Sequence, residues 1–168
     1  SIEGFVYTSM NGFSQGTLTF TSQNMGAGKK NRIKRAAVIS QFIVIVIGLV
    51  LGNAVVFFSR GLLGIFSKNP MVIDAGVQRL KIVCSTYALC GMMDCMGNTV
   101  RGTGHSVLPM AVTLVGACGL RLLWIATVFQ IPQFHSCFTI FLSYPISWVL
   151  TWIAHLICFA AVLRRNEC

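Results

Sequence analysis

Ala36–Ser59, AAVISQFIVIVIGLVLGNAVVFFS, is an almost continuous apolar run in which Gln41 and Asn53 are the main polar interruptions. A helix rises about 1.5 Å per residue, and the hydrocarbon core of a bilayer is about 30 Å thick, so about 20 apolar residues suffice to cross it. This stretch passes that test. So do Val77–Asn98, Val107–Ile131 and Phe138–Leu163, each separated from the next by a short polar break. The weakest candidate comes first: Ile2–Thr21 mixes Phe5, Val6, Met10, Phe13 and Leu18 with hydroxyls and amides. The pattern predicts an all-α chain, a polytopic transmembrane helix bundle of about five spans at roughly 2–24, 36–59, 77–98, 107–131 and 138–163.

Composition agrees. Of 168 residues, 55% are hydrophobic and only 10% charged, with a mean hydropathy of +0.74. A soluble domain carries about 25% charged residues. The net charge of +9 would suggest nucleic acid in a soluble protein, but its placement argues for a membrane and against a nucleic-acid partner. Lys29, Lys30, Arg32, Lys34 and Arg35 cluster after the first segment, Arg101 follows two spans later, and Arg164 and Arg165 close the chain. Arg60, Lys68, Arg79 and Lys81 hold the alternate side. By the positive-inside rule the richer side is cytoplasmic. The expectation is an integral membrane protein, in the cell (plasma) membrane, with a cytoplasmic C-terminus.

The seven cysteines form no CxxC pair, and most sit inside apolar spans, where a thiol acts as a small hydrophobe. No metal site, catalytic residue or cofactor is expected. Two glycine-rich segments fail as nucleotide loops. Gly26-Ala27-Gly28-Lys29-Lys30 has Gln23 where the first glycine belongs and Lys30 where a hydroxyl belongs, and Gly102-Thr103-Gly104 lacks the third glycine. Both read as helix-ending turns. Asn69-Pro70 reads as a helix start, and Leu62 to Phe66 as a short amphipathic stretch lying in the interface. Ser1 opens directly into a helical pattern without an initiator Met or a signal peptide, which leads to the expectation of a fragment continuing upstream.

Three features carry chemistry. In the first segment Thr8, Asn11, Gln15 and Thr19 recur at a near-helical spacing and are expected to line a water-filled substrate cavity. Asp94 is the single carboxylate inside the four strongly apolar spans, and burying it as an ion is costly, so it should be protonated, ion-bound or paired. It is the candidate for ion coupling, against a structural hydrogen-bonding role. Arg121 is the cation deep inside a span, Arg79 and Lys81 standing at the entrance of theirs; the expectation favours a structural role over a direct pair with Asp94. His155 is read as a packing histidine before a proton relay. Trp148 and Trp152 are read as lipid-packing residues before an aromatic wall for a cation.

Several short segments resemble one family in order along the chain. Ser22-Gln23-Asn24-Met25-Gly26-Ala27-Gly28-Lys29 resembles the end of the eighth helix of the multidrug and toxic compound extrusion (MATE) transporters. Phe66-Ser67-Lys68-Asn69-Pro70 resembles their linker into helix ten, and Arg101-Gly102-Thr103-Gly104 with Pro109-Met110 their turn from helix ten to eleven. Leu120-Arg121-Leu122 resembles a step in helix eleven, and Tyr144-Pro145-Ile146-Ser147-Trp148 the start of helix twelve.

The resemblance implies a partial C-terminal lobe, residues 1–168, of a twelve-helix secondary antiporter that is not an enzyme. Its implied partners are small-molecule drugs or organic cations, membrane lipids and the missing N-terminal lobe of the same polypeptide. It needs no cofactor; its coupling ion is sodium or a proton. In sodium-driven relatives an acidic residue stands about a turn before the position of Asp94, where this chain has Cys90. The alternatives are a lipid-linked oligosaccharide flippase of the same superfamily, which favours a strongly cationic cavity, and a non-transporting membrane scaffold.

Overall fold

A computed structural model describes residues 2–66, 68–132 and 136–165. Cys168, one of the seven cysteines, lies outside the described residues, as do residues 133–135 between the last two expected spans. The described residues form helices and turns and no strand. In chain order the helices are α1 (Ile2–Gly26), α2 (Lys30–Phe57), α3 (Ser59–Phe66), α4 (Pro70–Ser85), α5 (Tyr87–Gly102), α6 (Val107–Thr113), α7 (Leu120–Thr127) and α8 (Cys137–Arg165). The protein is an all-α membrane protein: Lys30–Phe57, Val107–Gln130 and Cys137–Arg164 are each long and apolar enough to cross a bilayer.

The other two expected spans take a different form. α1 has the length, at 25 residues, but its hydroxyls and amides lower its hydropathy. The stretch expected at 77–98 is two helices of 16 residues each, meeting at Thr86. The side chains there explain the break. Thr86 Oγ1 donates to the Ile82 carbonyl at 2.7 Å, and Ser85 Oγ donates to the Lys81 carbonyl. Hydroxyls that bond back to the preceding turn compete with the helical ladder and bend it.

α5 is the central rod. Most of its residues are buried, and it packs against α1, α2 and α8. The core gathers Val6 and Met10 from α1, Val44 from α2, Val83 from α4, and Met93 and Cys95 from α5. The outer faces remain apolar and exposed, as at Phe42 and Val50 of α2, Leu122 of α7 and Ile157 of α8. Such surface would be a liability in water; in a bilayer it meets the acyl chains.

The turns read from sequence are where glycine is needed. Gly28 has φ +68° and Gly104 φ +92°, a left-handed region that other residues enter only at a cost. Asn69 caps α4, its side-chain oxygen accepting from the Met71 backbone N–H at 3.0 Å with Pro70 in the first turn. Arg60 of α3 reaches Asp74 of α4 at 3.2 Å across the surface. α8 runs unbroken through Pro145.

Candidate functional site

α1, α5 and the α6–α7 region line a half-open cavity of about 550 Å³. α5 supplies one wall as a ladder: Asp94, Asn98 and Arg101 stand at i, i+4 and i+7 and so share a helix face. Arg101 Nη1 donates to Asn98 Oδ1 at 3.3 Å. α1 supplies Tyr7, Asn11 and Gln15, with Gln15 Nε2 donating to Asn11 Oδ1 at 3.4 Å. Tyr7 and Asp94 line the same cavity from α1 and α5. The facing wall is more mixed, with Met110, Thr113, Leu114 and Cys118.

The far wall contains a local irregularity. Between α6 and α7, residues Leu114–Gly119 form a π-helical turn. Leu114 and Cys118, four residues apart across this turn, both line the cavity. Gly116 in this turn lies against Thr151 of α8 so closely that a Cβ would overlap the Thr151 hydroxyl.

The structure divides the stripe expected on α1. Asn11 and Gln15 line the cavity; Thr8 and Thr19 do not. The hydroxyls of those two are exposed and turned back on their own helix, Thr8 Oγ1 donating to the Gly4 carbonyl at 2.8 Å and Thr19 Oγ1 to the Gln15 carbonyl at 3.2 Å. The physical reason is helical drift: at about 100° per residue, Thr8 and Thr19 stand about 60° and 80° around from Asn11, whereas Tyr7 and Gln15 flank it at about 40°. Tyr7, Asn98, Arg101 and Thr113 are polar cavity residues that the sequence reading missed. Tyr7 was available as the lower step of the Tyr7-Asn11-Gln15 series, and Asn98 and Arg101 as the continuation of the ladder from Asp94.

Arg121 is held apart from Asp94. Its guanidinium lies 4.1 Å from the Tyr144 ring centre and 5.6 Å from that of Trp148, and its Nε donates to Ser147 Oγ at 3.1 Å. Trp148 is buried against Tyr87 and Tyr144, so it is a core residue rather than a lipid-packing one. Trp152 also turns inward: its Nε1 donates to Gln41 Oε1 at 3.2 Å, and Gln41 Nε2 donates to the Met92 carbonyl at 3.2 Å. The polar interruption of α2 thus ties α2, α5 and α8 together.

His155 is fully buried beside Gly97, with Nε2 3.0 Å from Thr113 Oγ1. Its other ring nitrogen has no partner among the described residues. It stands behind the cavity wall and does not line the cavity.

Chemically, the cavity combines a carboxylate, a phenol, three amides, a hydroxyl and a guanidinium in a membrane protein. Such a set holds water and offers a cation the carboxylate end and an anion the guanidinium end. Among the described residues, Asp94 is the one carboxylate in its lining.

Comparison with known proteins agrees with this architecture. The family model described as MatE matches residues 1–127. A protein described as an FAD transporter, from Shewanella oneidensis, is 24% identical over 154 residues, covering 92% of this chain and 33% of the relative. A protein described as probable multidrug resistance protein NorM, from Thermotoga maritima, is 22% identical over 126 residues, covering 73% of this chain and 26% of the relative. The chain therefore spans about a third and about a quarter of the length of these two relatives. No solved structure matches it. This helical membrane bundle with a half-open polar pocket, matched by the family model over three quarters of its length, belongs to the MatE family of transporters.

Proposed function

We propose that the polypeptide containing this chain is a secondary active antiporter. It would export drugs or organic cations in exchange for sodium ions or protons, with Asp94 as an ion-coupling group. The single observation that carries this reading is the position of Asp94. It is half-buried at membrane depth and opens onto a polar cavity beside Tyr7 and Asn11. Ionisable residues inside membranes are costly and usually mark ion or substrate paths. A carboxylate in reach of water can exchange a proton or a cation as the lobes around it rock. The substrate would share the same cavity, held by amides and the phenol.

A second reading concerns the cargo. The name of the Shewanella relative points to a flavin dinucleotide, and Arg101 in the cavity lining is the group that would meet a phosphate. The flippase alternative calls for a strongly cationic cavity. Arg121 does not contribute to one, because aromatic rings and Ser147 hold it outside the lining.

The test is transport by the complete polypeptide in a pump-deficient host, with a fluorescent organic cation and a flavin dinucleotide as alternative cargoes. Asp94→Asn should abolish ion-driven export while the protein still reaches the membrane. Export unchanged by that substitution would remove Asp94 from the coupling role. Export of the dinucleotide alone would favour the second cargo.

A further inference from the structure

A second depression lies on the opposite side of α1, away from the polar cavity. It is a groove of about 560 Å³ between α1 and α2. Its walls are Phe13, Gly16 and Phe20 of α1 with Ala36, Ile39 and Ile43 of α2, and its mouth carries Arg32 and Arg35. Thr17 and Ser40 meet along it, Thr17 Oγ1 donating to Ser40 Oγ at 3.0 Å, so neither hydroxyl asks for an outside partner there. Gly12 and Gly16 leave the space open: a Cβ built at either position meets nothing.

Two features say what fits. The first is length. The step from Arg32 to Ile43 is eleven residues, about 16 Å along the helix, which is about half the thickness of the hydrocarbon core. The groove is therefore one leaflet deep, with its charged mouth at the headgroup level. The second is charge. The chain holds 13 basic and four acidic side chains. Asp74 pairs with Arg60, Asp94 faces the other cavity, and Glu3 lies near the start of α1, roughly 26 Å along the helix from Phe20. Glu167 lies outside the described residues. Both arginines are exposed, and they stand in the first two turns of α2, directly after the basic turn at Lys29.

We propose that this groove is a binding site for an anionic phospholipid of the leaflet on the side of the basic turn. One acyl chain lies between α1 and α2, and the phosphate is held by Arg32 and Arg35. A guanidinium pair recognises phosphate through charge-assisted hydrogen bonds, and basic pockets between membrane helices attract anionic headgroups. The lipid completes the packing of α1 against α2 at the place where the glycines leave a gap. It does so on the face opposite to that of Asn11 and Gln15, so an occupant would bias the position of the cavity-lining helix.

The test uses the complete polypeptide in phosphatidylcholine nanodiscs with a trace of photoactivatable lipid, its diazirine in the acyl chain. Phosphatidylglycerol and phosphatidylcholine probes are compared, and crosslinks are mapped by mass spectrometry. The phosphatidylglycerol probe should label residues 12–20 and 36–43 roughly tenfold more than the phosphatidylcholine probe. The double variant Arg32→Gln, Arg35→Gln should remove that preference. Gly16→Phe, which fills the groove from a position with open space, should suppress labelling by both probes. Equal labelling by the two lipids in the unmodified protein would overturn the proposal in favour of a non-selective lipid shell. Absence of labelling by both would overturn it in favour of another helix of the polypeptide covering the groove.

Discussion

Gly52 of α2 lies against the backbone carbonyl of Cys84 so closely that a side-chain carbon at position 52 would overlap that oxygen. One turn earlier, Gly48 meets the backbone of Ala88 in the same way, at 2.7 Å from a built Cβ to the Ala88 Cα. The two contacts straddle the break between α4 and α5. Small residues spaced by four let two membrane helices approach backbone to backbone, where dispersion and packing hold them together.

Gly52→Ala should therefore lower stability by about 1–3 kcal/mol, the usual range for overpacking. Thermal unfolding in detergent, monitored by tryptophan fluorescence, measures it. Gly12→Ala, at a position with open space, should leave the midpoint unchanged or raise it slightly, since alanine favours helix over glycine. Equal losses for both would show that the Gly52 contact carries no special weight.

Arg121→Met should cost about 0.5–2 kcal/mol through loss of the cation from the Tyr144 and Trp148 faces. Arg121→Lys should recover only part of it, because a lysine cannot both stack on the rings and donate to Ser147 with a planar fork. The same unfolding experiment resolves the three proteins. A lysine variant as stable as the parent would contradict the stacked geometry.

The surface pair Arg60–Asp74 should matter little. Both side chains are largely exposed, at 78% and 63%, and exposed ion pairs contribute roughly 0–1 kcal/mol. Asp74→Asn should shift the unfolding midpoint by no more than a degree or two, and by less as salt is raised.

On α1, the split between cavity residues and self-bonded hydroxyls predicts a contrast in transport. Asn11→Ala and Gln15→Ala should weaken export of the cargo, whereas Thr8→Ala and Thr19→Ala should not. Uptake or efflux assays at matched protein levels separate them. Loss of export with Thr8→Ala would place the cavity on a different face of the helix.

Local signals carried far in this chain, and they stop where partners come from distant helices. The apolar run at Ala36–Ser59, the turns at Gly28 and Gly104 and the cap at Asn69-Pro70 each depend on residues a few positions apart. The structure places the turns and the cap as read, while the helix over the apolar run begins six residues earlier, at Lys30, and ends at Phe57. The break at Thr86 was missed because no proline or glycine marks it. It depends on two hydroxyls bonding backward and on glycines of another helix. The π-helical turn at Leu114–Gly119 was missed for a similar reason, since Gly116 is shaped by Thr151 of α8. Arg121 was legible as a cation at membrane depth, but its aromatic partners stand a helix away. For the stripe on α1 the periodicity was right in kind. A series taken at steps of three, four and four moves around a helix, so its ends leave the face that its middle defines.

The native thiol of Cys118 gives the most direct test of the central claim, that a water-filled cavity with Asp94 in its lining lies at membrane depth. Cys118 is exposed and lines that cavity, whereas Cys84 and Cys95 are buried in the helix core. A charged, membrane-impermeant thiol reagent is applied to the complete polypeptide in its membrane, and each cysteine is scored by mass spectrometry. The account predicts modification of Cys118 but not of Cys84 or Cys95, slowed when transported cargo is present. Cys118 left unmodified under conditions that label an exposed loop cysteine would mean that its surroundings are lipid and not water, and would contradict the account.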